Sequence, residues 1–404
     1  MVPTSSHKEI PLPHRLWRRL PLQGRRRLLG ALGRLLAPIP DAMPKHPTPG
    51  IAVAGEFSRI SGLSEAARLT VMGLRALGHA PRMVDVSWRG EGLGGVALTP
   101  GMPLIVHVNA PDMPVALLRL GRAAARNRKI IGAWAWELPA PAPDWFAGAR
   151  YVHEIWAPSH FAAQALESLL PGRVRVVTPP LAVAPPQPSR LDRATFGWST
   201  DAVVVLVVFD LASSFVRKNP LAAIAAFRGA FGDDPRFSLV LKIGNPHHFP
   251  ADFTAIRAAV AEARNIRLMT QTLPVADLHA LMACADIVLS LHRSEGFGLV
   301  LAEAMLLGRP VIATGWSGNL DFMDVTSAAL IRARLVPAAD PRGVYSVPGA
   351  VWAQPSLGAA MGALLHLGHD AAARQALGAR GQVMARARLG TGSLEAALAA
   401  LVAR

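Results

Sequence analysis

A single cysteine, Cys284, stands in a chain of 404 residues. It has no partner for an intrachain disulfide and cannot build a zinc cage, so a disulfide-stapled secreted product is excluded and a reducing cytoplasm fits better. No run of about 18 apolar residues occurs, which leaves no segment able to span a bilayer. There are 2 tyrosines, a scarcity that, with charge concentrated at one end of the chain, counts against a nucleic-acid binder. No Asp-x-Asp triplet is available to hold Mg²⁺ or Mn²⁺ beside a phosphate. Acidic side chains are also scarce, 27 against 42 Lys plus Arg, giving a net charge of +15.

Hydrophobic residues make up 51 % of the chain, which excludes a disordered polymer, and the 35 Gly and 34 Pro follow no collagen-like period. The length predicts two or three domains, each able to bury its own core. The charge is unevenly placed: residues 1–50 hold nine basic and two acidic side chains, so +7 of the +15 lies in an N-terminal tail. Within it Leu28, Leu29, Leu32, Leu35 and Leu36 recur at helical spacing beside Arg25, Arg26, Arg27 and Arg34. This pattern predicts a short basic amphipathic helix, suited either to an anionic membrane surface or to a solvated extension, and it lacks the apolar block of a signal peptide.

From residue 51 onward, short apolar runs alternate with helical periodicity. Strands are predicted over 51–54, 104–108, 130–135, 154–157 and 174–177, with helices such as 63–77 and 158–170 between them. The Pro-rich TPPLAVAPPQPS at 178–189 has no periodicity, and the alternation then restarts with the β-branched run at 203–208. Strands follow over 238–243, 266–269, 287–291 and 311–313, with helices near 220–231, 253–263, 275–284 and 299–307. The reading is α/β, with a tail (1–50), one parallel-sheet domain (51–180), a second (181–385) and a closing helix (386–404). Ligands in such folds bind outside the carboxyl ends of the strands, which places the site in the cleft between the halves.

The segment most informative about chemistry is SEGFGLVLAEAMLLGRPVIATGWSGN at 294–319. It leaves a strand end, passes the turn Gly296-Phe297-Gly298 and enters a helix at Leu299, whose first N–H groups can hold an anion. Glu295 stands at the mouth and Glu303 eight positions later. Carboxylates on both sides of a phosphate-ready helix end suit a nucleotide sugar, whose hydroxyls donate to carboxylates and whose diphosphate accepts from N–H groups.

This Glu-x7-Glu arrangement, followed by GRPVIAT and a Gly-containing loop, resembles the donor site of retaining glycosyltransferases of the family-4 type. The segment GEFSRISGLSEAARLTVMGLRALGH is similar to that family's first loop and helix; GAWAWELPAP, EIWAPSHFAAQAL and FDLASSFVRKNPLAAIAAF resemble a bacterial polysaccharide, mannosyltransferase-like branch. The resemblance implies the GT-B architecture of two facing Rossmann-like domains. It also implies hexose transfer, mannose from a GDP donor or glucose from a UDP donor, to a saccharide or polyprenyl-diphosphate-linked acceptor at the inner face of the cytoplasmic membrane. Glu295 would meet the transferred sugar, Glu303 the ribose, and Phe297, Gly298 and Leu299 the sugar or the diphosphate through their N–H groups. Lys218 matches the family's phosphate-binding lysine, with Arg217 beside it. The family's usual arginine before that lysine is replaced here by Asp210-Leu211-Ala212-Ser213-Ser214, so Arg217 or Lys242 is expected to supply the second cation and Ser214 to join the donor contacts. Neither a metal nor a cofactor beyond the nucleotide sugar is implied.

Further cleft candidates follow from position. Ser317, Gly318 and Asn319 belong to the donor loop, while Gly62, His107, Asn109, Trp136 and Glu137 lie at or after strand ends on the acceptor side. Trp134, Trp145 and Cys284 read as packing residues, and His247-His248 as solvated. Three rivals are set aside. A nucleic-acid binder would spread its charge along a groove. A sugar-nucleotide epimerase on the same fold would need acid and base groups around the sugar. A noncatalytic binder would not need Glu295, Glu303 and Lys218 together.

Overall fold

The computed structural model describes residues 33, 35–42, 46–87 and 98–402. Most of the basic amphipathic pattern read in the tail lies outside the described residues. Two six-stranded parallel sheets organise the rest. The first contains β1 (Ala52–Gly55), β2 (Arg82–Asp85), β3 (Leu104–His107), β4 (Ile130–Ala133), β5 (Glu154–Ala157) and β6 (Val174–Val176), in the spatial order β2-β1-β3-β4-β5-β6. The second contains β7 (Val203–Asp210), β8 (Phe237–Gly244), β9 (Ile266–Met269), β10 (Ile287–Ser290), β11 (Val311–Thr314) and β12 (Ala329–Ile331), ordered β12-β11-β10-β7-β8-β9.

The strands are apolar on both faces because helices cover both. Ala52, Ala54, Leu104 and Val106 enter one core, whereas Val53 and Ile105, one residue out of phase, enter another. The same alternation divides β7: Val205 and Val207 face α4 (Pro220–Phe231), and Val204 and Leu206 face the side of α6 (Val275–Cys284). The other main helices are α1 (Gly62–Ala76), α2 (Met113–Leu120), α3 (His160–Leu166), α5 (Pro250–Ala259), α7 (Leu299–Leu306), α8 (Leu357–His369), α9 (Ala371–Arg388) and α10 (Gly392–Val402). The helix expected over 158–170 is α3 followed by a 3₁₀ turn, Glu167–Leu169. The closing helix expected over 386–404 is α10, residues 386–388 ending the longer α9.

Two excursions tie the halves together. In α10, Leu394, Ala397, Leu398 and Leu401 form one helical stripe that packs on Ile51, Val53, Val71 and Leu74, so the last helix returns to the first sheet. The antiparallel hairpin of β13 (Ala333–Pro337) and β14 (Val351–Pro355) leaves the second half, and its Tyr345, Val347, Ala350 and Trp352 join the first half's core with Trp134, Trp136 and Tyr151. No strand was expected after 313. β13 is largely exposed and carries neither an apolar run nor clean alternation, so its sequence gives no strand signal.

Candidate active site

The loops at the carboxyl end of the second sheet hold backbone in uncommon conformations. Ser214 (φ +73°), Asn219 (+53°), Asn245 (+54°) and Ser317 (+81°) have positive φ without being glycine, and such strain collects at functional sites. After β7, Ser214 accepts from the N–H of Arg217 at 3.4 Å and starts the single turn Phe215–Lys218. That turn aims two cations at Glu295. Lys218 Nζ donates to Glu295 Oε1 at 2.5 Å and Arg217 Nη1 to Oε2 at 3.2 Å. Arg217 is 3 % exposed and also donates to the carbonyls of Ser294 (2.8 Å) and Ser213 (2.8 Å). Burial alone would raise the Glu295 carboxyl, but Lys218 and Arg217 hold it down to about 2, so it is ionised and paired. Burial pushes the Lys218 ammonium down, with Glu295 opposing.

Across the cleft, Glu137 brings a second carboxylate: its Oε1 lies 3.7 Å from Arg217 Nη2, and its Oε2 accepts from the Tyr345 hydroxyl at 3.0 Å. The Tyr345 ring lies under the Arg217 guanidinium, 5.5 Å from Cζ to centroid, and 5.5 Å from the Trp136 ring. The Trp136 side chain is itself core, packed on Trp145 at 4.7 Å and donating to the Ala140 carbonyl.

Gly296 to Leu299 form the floor. Gly298 takes φ +101°, a conformation that glycine adopts without strain, and α7 begins there with no side-chain cap. The Leu301 N–H turns back to the Gly298 carbonyl at 3.0 Å, and those of Leu299 and Val300 are left for an anion. Phe297 turns its ring into the core against Phe322 at 4.9 Å. The loop above is pinned to this floor: the N–H of Glu295 donates to Ser317 Oγ (2.8 Å), that of Gly318 to the Glu295 carbonyl (2.9 Å), and Ser159 Oγ from the first half to the Gly296 carbonyl (2.7 Å). Asn319 is fully buried. Its Nδ2 donates to the Thr314 carbonyl at 3.1 Å and its Oδ1 pairs with His292 Nε2 at 3.1 Å, so its amide holds the loop in place.

Glu303 faces α6, with His279 Nε2 at 4.0 Å. Burial, with a smaller push from Glu65 of α1, raises its carboxyl to about 8. The N-termini of α1 and α7 thus meet across the cleft, where a Cβ on Gly62 would lie 3.7 Å from Leu299 Cδ1. Asn109 Oδ1 accepts from the Ala135 N–H at 3.0 Å. His107 is buried, its Nε2 has no hydrogen-bond partner, and burial pushes its imidazole down to about 3. It lines a small cavity with Leu63, Thr70 and Trp134 and does not join the charged cluster. Neither does Lys242, on which Asp210 is the charged group that acts. Of the two alternatives for the second cation, Arg217 or Lys242, Arg217 is the one that stands with Lys218 on Glu295. Sequence reading missed Tyr345, His292, Ser159 and Glu65; only the fold brings these to the site.

Among the described residues, no group of three or more His, Cys, Asp or Glu is arranged to hold a metal, and no helix is long and apolar enough to cross a membrane. The chain is similar in structure to Anabaena HepE in complex with UDP and glucose, with a TM-score of 0.64 and 14 % identity over 88 % of this chain and 100 % of that one. It is also similar to sucrose-phosphate synthase from Thermosynechococcus elongatus, with a TM-score of 0.63 and 15 % identity over 88 % of this chain and 98 % of that one. The D-inositol 3-phosphate glycosyltransferase of Jonesia denitrificans is 38 % identical over 99 residues, 24 % of this chain and 23 % of the relative. The alignment thus spans less than a quarter of that relative's length. The architecture is GT-B, and residues 221–345, which carry Glu295, α7 and Tyr345, match the family model described as Glycosyl transferases group 1.

Proposed function

We propose that this protein is a retaining glycosyltransferase. It moves a hexose, mannose from a GDP donor or glucose from a UDP donor, to a saccharide or polyprenyl-diphosphate-linked acceptor in bacterial polysaccharide assembly. The observation that carries the reading is the buried cluster of Arg217, Lys218 and Glu295 set against the uncapped start of α7. Residues 181–385 bind the donor and residues 51–180 the acceptor. As the glycosidic bond breaks, negative charge gathers on the departing diphosphate; Lys218, Arg217 and the helix N-terminus supply a preorganised positive potential that lowers this barrier. Glu295, kept ionised by the same cations, accepts from hydroxyls of the transferred sugar, and Glu303 accepts from the ribose. The acceptor attacks from the face the diphosphate leaves, and a phosphate oxygen takes its proton, so configuration is retained without a protein nucleophile. The fixed cations answer the leaving-group charge without a metal. The match to Glycosyl transferases group 1 and the UDP of the Anabaena neighbour support the assignment. We place the enzyme at the inner membrane face, its basic tail on anionic headgroups.

The test is turnover of UDP-glucose and GDP-mannose with lipid-linked and free saccharide acceptors, the product anomer being read by NMR. Transfer with retention, insensitive to EDTA, is expected. Lys218→Ala and Glu303→Ala should each lose about 10²-fold or more in kcat. Inversion, strict metal dependence or near-normal activity in both variants would overturn the proposal.

A further inference from the structure

Lys242 is the penultimate-but-one residue of β8, at the carboxyl end of the second sheet, and only 8 % of it is exposed. Among the described residues its ammonium makes neither a hydrogen bond nor an ion pair. Burial pushes this ammonium below the ordinary lysine range, and Asp210 alone pulls it back. Asp210 does not close onto it as a partner, because its oxygens are engaged elsewhere: Oδ1 accepts from the Ala212 N–H at 2.7 Å and Oδ2 from Asn245 Nδ2 at 2.6 Å. The ammonium keeps some contact with solvent, and its three N–H donors are open to a ligand.

The surroundings indicate which ligand. In the sheet register Lys242 lies between Val208 of β7 and Met269 of β9, and so shares their face. Val208 and Met269 are only partly buried, and they pack in one cluster with Leu278 of α6 and Val300 of α7. Glu303 follows Val300 by three positions on α7, one turn along the same side. An apolar-walled region at the strand ends is therefore flanked by the ribose-binding candidate on the helix and by Lys242 on the sheet. The cluster of Arg217, Lys218 and Glu295 is a separate group, since none of its charges acts on Lys242. With Asp210 adjacent, a second phosphate would meet a negative charge; a neutral acceptor on a planar apolar body would not.

We propose that Lys242 reads the nucleobase of the bound nucleotide, donating to a ring carbonyl and so selecting uracil or guanine over cytosine or adenine, which present an amino group at that edge. The assignment rests on the nucleotide-sugar reading of the site. An ammonium has no acceptor to offer an amino group, and a buried polar site left unpaired rejects the wrong ligand more strongly than an apolar wall does.

The experiment is calorimetric titration of the full-length protein with UDP, CDP, GDP and ADP, which compares bases of equal size in pairs. The better bound of UDP and GDP should exceed its amino counterpart by about 30-fold or more. Lys242→Met, an apolar side chain of similar length, should bring that ratio below about threefold while the variant melts at or above the wild-type temperature. Equal binding of keto and amino bases by the wild type would overturn the proposal without relying on any variant. So would a Lys242→Met variant that weakens all four ligands alike, the signature of a phosphate contact. Absence of binding by all four would overturn the nucleotide reading, and this inference with it.

Discussion

The Tyr345 hydroxyl donates to Glu137 Oε2 at 3.0 Å, joining a hairpin of the second half to a loop of the first across 208 positions of sequence. Burial raises the Tyr345 phenol well above its usual range, so it stays a neutral donor. The bond holds Glu137 Oε1 at 3.7 Å from Arg217 Nη2, beyond hydrogen-bond distance.

At that distance the two form an ion pair without a hydrogen bond; if Arg217 holds a donor diphosphate as proposed, a closer Glu137 would compete for it. Tyr345→Phe retains the ring under Arg217 and removes the restraint, leaving Glu137 to pair with Arg217. Nucleoside diphosphate affinity should fall about tenfold, an effect in the range of one hydrogen bond to a charged group, and Tyr345→Phe with Glu137→Gln should recover most of it. Calorimetry on the two singles and the double gives the coupling. Additive losses would show that Tyr345 does not act through Glu137.

Glu303 makes a prediction about protons. Its carboxyl is raised to about 8 from an ordinary 4.5, chiefly by burial. Because its folded value is the higher one, its stabilising contribution is complete below 4.5 and is lost as pH rises through 8. Glu303→Gln should flatten the fall in thermal stability across that window. If Glu303 accepts from ribose hydroxyls as proposed, its ionised form is favoured, and nucleotide binding at pH 7 should release close to one proton. Titration in two buffers of different ionisation enthalpy measures this, and Glu303→Gln should abolish it.

Most of the architecture was legible because parallel strands covered on both faces are written as short apolar runs between helical periods. The β-branched run beginning at Val203 and the turn before Leu299 are local signals of that kind. Glu295, Glu303, Arg217 and Lys218 could be singled out because local motifs carry them. Their arrangement was less accessible: Arg217 and Lys242 were equivalent candidates until the sheet register separated them. Tyr345 was invisible because it sits in a hairpin loop with no periodicity, and its role depends on a partner in the other half. His292 and Ser159 act through buried hydrogen bonds that leave no spacing pattern.

Gly318 tests how tightly the two halves are clasped. A Cβ there would lie 2.3 Å from the Gly296 carbonyl oxygen and 2.8 Å from Ser159 Oγ, so backbone must move. Gly318→Ala should cost about 1–3 kcal/mol through overpacking, read as a lowered Tm. Because the same loop anchors Glu295, the variant should also lose nucleotide affinity. Ser159→Ala, which removes the bond to Gly296 and the N-cap bond from the Ala162 N–H of α3 without forcing backbone to move, should lose less nucleotide affinity.

The tail can be tested apart from the rest of the chain, because Ala37 and Asp41 are already tied to the first half. Ala37 is buried in the first core, and Asp41 accepts from the Asn127 N–H at 2.7 Å through Oδ2 and pairs with His153 Nε2 through its carbonyl. Ala37 and Asp41 therefore belong to the fold and must stay in any truncation. Just before them Leu35 and Leu36 are 80 % and 60 % exposed, next to the Arg-rich run that ends at Arg34. An apolar pair beside clustered cations suits an anionic lipid surface, each basic residue near it contributing about 1 kcal/mol at most. Removing residues 1–32 should abolish co-sedimentation with phosphatidylglycerol vesicles and leave nucleotide binding unchanged. Leu35→Glu with Leu36→Glu should weaken vesicle binding in the full chain. Vesicle binding that persists in the truncated protein and also survives Leu35→Glu with Leu36→Glu would place the membrane contact on the body instead.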